Sequence, residues 1–243
     1  MFLNPLPPKD YLKLSLIIPC YNEAANLPLL LDRCAGLVIG RDIEVILVDN
    51  GSCDLTPEIL KELLPQYPGC RCVRVELNQG YGFGILAGLR AARGSVIGWT
   101  HADLQTDPQD ALRGLDLFAK HGDRLFVKGR RYGRPVMDVL FTTGMSLFET
   151  LLLAQPMWDI NAQPTLFHRE FFESWEDPPH DFSIDLFAYY QAMSTGLKVM
   201  RFPVRFGQRA HGVSHWNVNW AAKRKFIKRT IEFSLHLKKR IKQ

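Results

Sequence analysis

An α/β fold, with a mostly parallel central sheet and helices on both faces, follows from three features of the sequence. Short apolar runs alternate with stretches that carry leucine at helical spacing through the first 132 residues. The first two apolar runs are continuous instead of alternating with polar residues, which marks strands buried on both sides. Turn-forming and helix-capping residues sit where the runs end.

The elements follow in order. "LSLIIPC", Leu14–Cys20, ends in a proline-containing apolar run and reads as a buried strand. Residues 23–36 carry leucines at helical spacing, with Asn22 or Asn26 as the cap. Residues 43–49, "IEVILVD", are a second buried strand. A turn follows, then a helix capped at Asp54 or Thr56 with Pro57 in its first turn. "CRCVRVEL" is the third strand, and glycine-rich "GYGFGILAGLRAARG" opens a helix that closes at Gly94. "SVIGWTHAD" is the fourth strand, 108–120 the next helix and "RLFVKGRR" the fifth strand. After Tyr132 the pattern changes to a helix over 136–154, strand-like "INAQPTLFHR", a helix in "SIDLFAYYQAMSTG", and one strand or two in "LKVMRFPVRF". No Pro/Gly/Ser linker intervenes, so 133–218 is expected to pack on 1–132 as the second half of one domain, with 219–243 as a basic amphipathic helix.

Of 243 residues, 47% are hydrophobic and 23% charged, an ordinary globular balance with material for a real core. A net charge of +5 permits an anionic partner without naming one. Five cysteines, an odd number, include one close pair, Cys70 and Cys72; C-x-C without a histidine cluster is not a zinc pattern and reads as reduced thiols. The opening "MFLNPLPPKD" lacks the apolar core of a signal peptide. The longest apolar stretch, 141–157, is interrupted by Glu149 and Gln155 and reads as too short to span a bilayer.

In an open parallel sheet, ligands bind beyond the carboxyl ends of the strands. Those ends carry Pro19, Tyr21, Asn22 and Glu23; then Asp49, Asn50, Gly51 and Ser52; then Asn78 and the glycines from Gly80; then His101, Asp103 and Gln105. The glycines invite a dinucleotide reading. That fingerprint, however, follows the first strand, with an acid about 20 residues on. Here the glycines follow the third strand at other spacings, which disfavours a nicotinamide oxidoreductase and favours tight packing at a helix start. Asp49 can accept hydrogen bonds from a nucleobase or ribose, or cap its own turn. Asp103 is the leading metal candidate, since oxygen ligands suit Mg²⁺ or Mn²⁺. His101, Asp103 and Gln105 project to one side if the chain stays extended; the alternative is a solvated loop before a helix.

"LIIPCYNEAANL", "EVILVDNGSCD", "NQGYGFGILAGLRAARG" and "HADLQTDP" together resemble the inverting family 2 glycosyltransferases, nearest the polyprenyl-phosphate sugar synthases. The likeness continues through "VKGRRYGR", "DINAQPTLFHR", "DFSIDLFAYY" and "VRFGQRAHGVSHWN", and spans 13–217. It implies a GT-A nucleotide-diphospho-sugar transferase fold and a donor carrying UDP or GDP. By this resemblance Pro19, Tyr21 and Glu23 line the nucleobase pocket, with Asn22, Asn50, Gly51 and Gly82 around the donor and Asp49 on the base or ribose. Asp103 is the second acid of the family's D-x-D and binds the divalent cation, assisted by Gln105. Two departures stand out. His101 replaces the first acid, and imidazole ligates Mn²⁺ but is a poor ligand for Mg²⁺. Asn50 replaces an aspartate and keeps hydrogen bonding without charge.

A polyprenyl phosphate acceptor needs cations to hold it, and Arg130, Arg131, Arg134, Arg205 and Arg209 are candidates because arginine grips phosphate bidentately. Arg130, Arg131, Arg209, Ser214 and His215 fall on the acceptor side of the resemblance, His215 standing where the family usually has lysine. A glycan hydroxyl acceptor would instead require a base, and Asp185 is the candidate. In the tail, Trp220, Phe226, Ile227, Ile231, Phe233, Leu235, Leu237 and Ile241 share one helical face, and Lys225, Lys228, Arg229, Lys239 and Arg240 lie opposite. Such a helix suits an anionic bilayer surface or a dock on the core. The expected location is cytoplasmic, with lipid contact at the inner face of the cytoplasmic membrane. A catalytically silent glycosyltransferase-like module is the competing reading; a nucleic-acid binder lacks any accompanying motif.

Overall fold

The structure, a computed structural model, describes residues 12–211 and 220–241. Its elements run β1 (Leu14–Cys20), α1 (Leu27–Val38), β2 (Ile43–Asn50), α2 (Thr56–Leu63), β3 (Cys70–Val75), α3 (Tyr81–Ala91), β4 (Val96–Trp99), α4 (Asp110–His121) and β5 (Leu125–Tyr132). They continue with α5 (Val136–Leu153), β6 (Thr165–His168), α6 (Arg169–Glu173), α7 (Ile184–Ser194), β7 (Lys198–Arg205) and α8 (Trp220–Ile241).

The seven strands form one sheet in the order β3-β2-β1-β4-β6-β5-β7. β1 pairs in parallel with β2 and β4, β2 with β3, and β5 with β7, whereas β6 runs antiparallel to both its neighbours. Strand alternation sends Leu14, Leu16 and Ile18 to one face, where α1, α2 and α4 cover them. Ile17 faces the other way, into a core built with α3, α6 and α7. The expected mostly parallel sheet with helices on both faces is what forms. β6 and β7 come from the second half of the chain, so both halves share the sheet.

β6 is shorter than the strand-like run that announces it, four residues of ten. It enters between β4 and β5, and Gly98 is what admits it: a Cβ there would lie 1.9 Å from the Thr165 carbonyl oxygen. The final apolar run forms one strand, not two.

α5 corrects the expectation drawn from its length. Its 18 residues have a mean hydropathy of 1.5, long and apolar enough by composition to cross a membrane. Most of it is not buried: Val136, Met137, Leu140, Leu147 and Leu151 are exposed, and Ser146, Glu149 and Leu153 are the buried positions. α8 lies against that buried side, where Ser234 Oγ donates to Glu149 Oε1 at 2.8 Å. Ser234 and Leu237, one turn apart, therefore define the packed face of α8, and Leu235 is turned outward. The single broad apolar face expected of the tail is thus split. The side chains of Trp220, Lys225, Phe226, Arg240 and Ile241 lie outside the described residues.

Candidate functional site

A cavity of about 500 Å³ opens at the carboxyl edge of the sheet. The end of β1 contributes Pro19, Tyr21 and Glu23, the end of β2 Asn50, and the segment after β4 His101, Asp103 and Gln105. These loops are far apart in sequence and meet because β2, β1 and β4 are adjacent and parallel.

The segment after Trp99 is not extended. It bends, with Leu104 in the left-handed region at φ 58. Alternate spacing is therefore not what aligns His101, Asp103 and Gln105, yet the bend delivers all three to the cavity. Asp103 is buried, its Oδ1 accepting the Gln105 N–H at 3.2 Å and its Oδ2 meeting Arg209 at 2.9 Å. The loop carrying Arg209 is fastened there: Gly207 N–H donates to the Gln105 carbonyl at 2.7 Å, and Gln105 Nε2 returns a bond to the Gly207 carbonyl at 3.2 Å. His101 stacks on Tyr81 with ring centroids 5.7 Å apart. Burial lowers the His101 pKa against the opposing pull of Asp103 and Asp185, which favours neutral imidazole.

Among the described residues no three His, Cys, Asp or Glu side chains converge as a metal cage. Magnesium-type sites do not need one, because one or two carboxylates plus substrate phosphates complete the shell. Asp103 fits that role. Its Oδ2 is paired with the Arg209 guanidinium, so this carboxylate already carries its charge beside a cationic group.

Asn50 Nδ2 donates to the Gly80 carbonyl at 2.9 Å, while its buried Oδ1 has no partner. Asn50 lines the cavity, although that oxygen itself has almost no exposed surface. Glu23 is held by Asn26 Nδ2, and burial raises its pKa.

Four expected donor contacts lie outside the cavity wall. Asp49 is buried and internally used: Oδ1 accepts the Ser52 N–H at 3.0 Å and Oδ2 pairs with Arg74 at 2.5 Å. Its turn-capping role is the one observed. Asn22, at φ 57, ties its loop by accepting the Cys53 N–H at 2.9 Å. Gly51 and Gly82 serve close packing, since a Cβ would lie 2.5 Å from Asn78 N or from the Pro179 carbonyl oxygen, respectively.

On the other side of the cavity, Arg131 is in the wall, whereas Arg130, the next position along β5, is exposed on the opposite face by strand alternation. Arg205 is exposed at the end of β7. Arg131 donates through Nε to Asp159 Oδ1 at 2.9 Å and through its N–H to Oδ2 at 3.1 Å. Arg134 stands 3.6 Å from the same carboxylate, and Arg201 donates to the Asp159 carbonyl at 3.1 Å. Burial pushes Asp159 up, but the bonds and charge of Arg131 and the charge of Arg134 outweigh it, and the pKa is lowered. The Asp159 carboxylate thus serves two guanidinium groups and its backbone carbonyl a third, and the buried Nε atoms of Arg134 and Arg201, neither of which lines the cavity, have no hydrogen-bond partner. Next to this cluster the wall is apolar, with Phe141, Met145, Ile160, Leu186 and Phe206. Asp159 opens "DINAQPTLFHR", one of the stretches that carry the resemblance, but is not among the expected site residues, and for Arg201 an arginine inside the strand-like "KVMRFPVR" was the available signal.

Asp185 lies in the first turn of α7 and in the cavity wall, 2% exposed. Its Oδ1 accepts from Trp99 Nε1 at 3.2 Å and Gln163 Nε2 at 2.7 Å. Burial raises its pKa, opposed by Lys128, His101 and these two bonds. Ser214 and His215 lie outside the described residues.

A family model described as Glycosyl transferase family 2 matches residues 15–176. The chain is 41% identical over 113 residues to an undecaprenyl-phosphate 4-deoxy-4-formamido-L-arabinose transferase of Pseudomonas paraeruginosa, covering 45% of this chain and 33% of that protein. It is 40% identical over 152 residues to the protein of the same description in Photorhabdus laumondii, covering 56% and 46%. The chain therefore spans between a third and a half of the length of these curated relatives. In fold it is similar to a mannosyltransferase from Pyrobaculum calidifontis in complex with GDP-Man and Mn²⁺, at TM-score 0.62 and 21% identity, covering 86% of this chain and 61% of the other. It is also similar to glucosyl-3-phosphoglycerate synthase from Mycobacterium tuberculosis with Mn²⁺ and UDP, at TM-score 0.65 and 19% identity, covering 95% and 81%.

Proposed function

This chain belongs to glycosyl transferase family 2, and from that premise we propose that it transfers a sugar from a nucleotide-diphosphate sugar to a polyprenyl phosphate with inversion at the anomeric carbon. The observation that carries the acceptor is the arginine cluster. Arg131, in the cavity wall, and Arg134 share the Asp159 carboxylate, Arg201 bonds the Asp159 backbone carbonyl, and an apolar wall adjoins Arg131. An anion on an apolar chain matches that combination. The polyprenyl-phosphate relatives support the same acceptor class.

Residues 1–132 supply the donor side and 133–218 most of the acceptor side. Pro19, Tyr21, Glu23 and Asn50 receive the nucleobase, uracil or guanine. Asp103, with Gln105, would hold a divalent cation on the diphosphate, and His101 stands beside them. When bound, that cation neutralises charge on the departing nucleoside diphosphate. Arg209, released from Asp103, turns to the same phosphates. An acceptor phosphate oxygen attacks the anomeric carbon opposite the leaving oxygen, the new C–O bond forming as the old one breaks and its electrons leave with the diphosphate. A phosphate monoester has a second pKa of about 6, so part of the acceptor arrives with a proton, which Asp185 accepts. The same carboxylate would serve a hydroxyl acceptor.

Membrane contact fits this acceptor, but with a different division of labour from an amphipathic tail alone. α5 supplies the apolar face through Leu140, Leu147 and Leu151, and α8 supplies exposed Arg224, Lys228 and Lys239 for anionic headgroups. In this reading α5 lies in the interface plane, since Glu149, near its C-terminal end, is buried and bonded to Ser234 of α8. The test is mass spectrometry of products from UDP- and GDP-sugars with undecaprenyl phosphate and Mn²⁺. A glycosyl-phosphoryl lipid is expected; transfer to glycan hydroxyls with the lipid untouched would refute the acceptor.

A further inference from the structure

Lys128 sits in β5 with no exposed surface, and Nζ has one hydrogen-bond partner among the described residues, Thr165 Oγ1 at 2.7 Å. Around it are the rings of Phe126 and Tyr189, 5.7 and 5.8 Å from Nζ. A buried ammonium in such surroundings is costly, and a leucine or methionine would pack there without that cost. Its charge therefore calls for a counterpart.

Asp185 is that counterpart. It is equally buried and has no ion-pair partner within 4 Å among the described residues; its two recorded donors, Trp99 and Gln163, are neutral. The two charges are fastened to one short stretch of chain. Gln163 holds Asp185 at 2.7 Å, and Thr165, two residues on, holds Lys128 at 2.7 Å. Coulomb attraction weakens slowly with distance in a low-dielectric interior, so a pair beyond contact distance still couples.

We propose that Lys128 is a positioning residue, the buried counter-charge that keeps the Asp185 carboxyl anionic in the cavity wall. Lys128 is the strongest influence opposing the effect of burial on Asp185, ahead of His101. In return Asp185 does most to sustain the charge of Lys128, whose pKa burial pulls down to about 7. The other charges that face the pair are His101 and Tyr81 toward Asp185, and Arg201, Asp159 and Arg131 toward Lys128. The arginines repel Lys128, so Asp185 and Asp159 alone favour its protonated form. The inference rests on the reading of Asp185 as a proton acceptor, but its test does not need turnover.

The full chain, labelled with carboxyl-¹³C aspartate, is titrated by NMR, with Asp185→Asn identifying the resonance. In Lys128→Met the Asp185 pKa is expected to rise by roughly 1 unit or more, and Lys128→Arg to restore it. The acidic limb of kcat/KM should move upward with it, whereas a merely structural lysine would lower the rate equally at every pH. Should Lys128→Met fail to fold, the wild-type protein decides. Asp185 must show a second inflection as Lys128 loses its proton, and a single unperturbed curve overturns the proposal. An unmoved Asp185 titration in folded Lys128→Met overturns it equally. Absence of sugar transfer with a shifted titration would sink the proposed function and leave this inference standing.

Discussion

Replacing Glu149 by glutamine should make the protein more stable at pH 8 than at pH 4.5, relative to wild type, by about 3 kcal/mol. The carboxyl is fully buried at the α5–α8 seam, with Oε1 bonded to Ser234 and Oε2 without a partner. Burial raises its pKa from 4.5 to about 7, the Ser234 bond opposing. Below pH 4.5 the group is protonated in both folded and unfolded chains, and its contribution is complete. Between 4.5 and about 7 the folded state keeps a proton that the unfolded state releases, so stability falls as pH rises through that window. At about 1.4 kcal/mol per unit, the loss is about 3 kcal/mol once the folded pKa is passed. Glutamine accepts the same Ser234 bond and has no charge to bury. It brings an unpaired donor in place of Oε2, a cost that does not vary with pH. All other titrations are common to both proteins and cancel in the difference. Urea denaturation of both proteins at pH 4.5, 6 and 8 reads the effect directly. In thermal melts, about 2–4 °C per kcal/mol for a domain of this size, the gap should widen by several degrees over the same range. Parallel stability curves across that range would show that Glu149 is ionised at its ordinary pKa and that the seam is wetter than described.

The remaining predictions concern the cavity and the lipid-facing surface. Asp103→Ala should abolish the Mn²⁺-dependent part of donor affinity in calorimetry, and an unchanged Mn²⁺ dependence would remove Asp103 from the diphosphate site. Arg131→Gln should raise the acceptor KM by roughly 10–100-fold, the worth of a charge-assisted hydrogen bond, with donor Kd unaltered; a shift in donor Kd alone would move Arg131 to the other side of the cavity. Leu140→Asp combined with Leu151→Asp, both at exposed positions, should weaken flotation with anionic vesicles without lowering Tm, and equal flotation would exclude α5 from the membrane contact.

The first half of the fold was legible because each strand there is a local fact. β2 is buried from end to end and β1 at every position but Pro19, so a nearly unbroken apolar run is all that marks them. β6 is different. Its antiparallel place between β4 and β5 depends on Gly98 and Gly129 making room for its backbone, and neither glycine is near it in sequence. α5 was legible as a helix but not in its orientation. Apolar residues usually face inward, yet here Ser146 and Glu149 are buried and Leu140, Leu147 and Leu151 are exposed. A pattern rule based on burial assigns such a helix inside out, and only its docking against Ser234 of α8 reveals which side is covered.

The site divides along the same line. Tyr21, Asn50 and Asp103 were found because they follow strands that pattern alone identifies, and adjacency of β2, β1 and β4 does the rest. Asp49 shows the limit of that logic. It occupies the right strand end, but the chain closes both its oxygens with Ser52 and Arg74. Position at an edge says where a side chain begins and nothing about which of its lone pairs remain open. The acceptor side inverts the problem. Arg134 and Arg201 gather around Asp159 beside Arg131, one at its carboxylate and one at its carbonyl, and their Nε atoms are left without partners. That cluster draws on β5, the segments on either side of α5, and β7, so no stretch of sequence contains it. The β-strand ends of the cavity are therefore written in loops read one at a time, and the arginine cluster on its far side in contacts that exist only after folding.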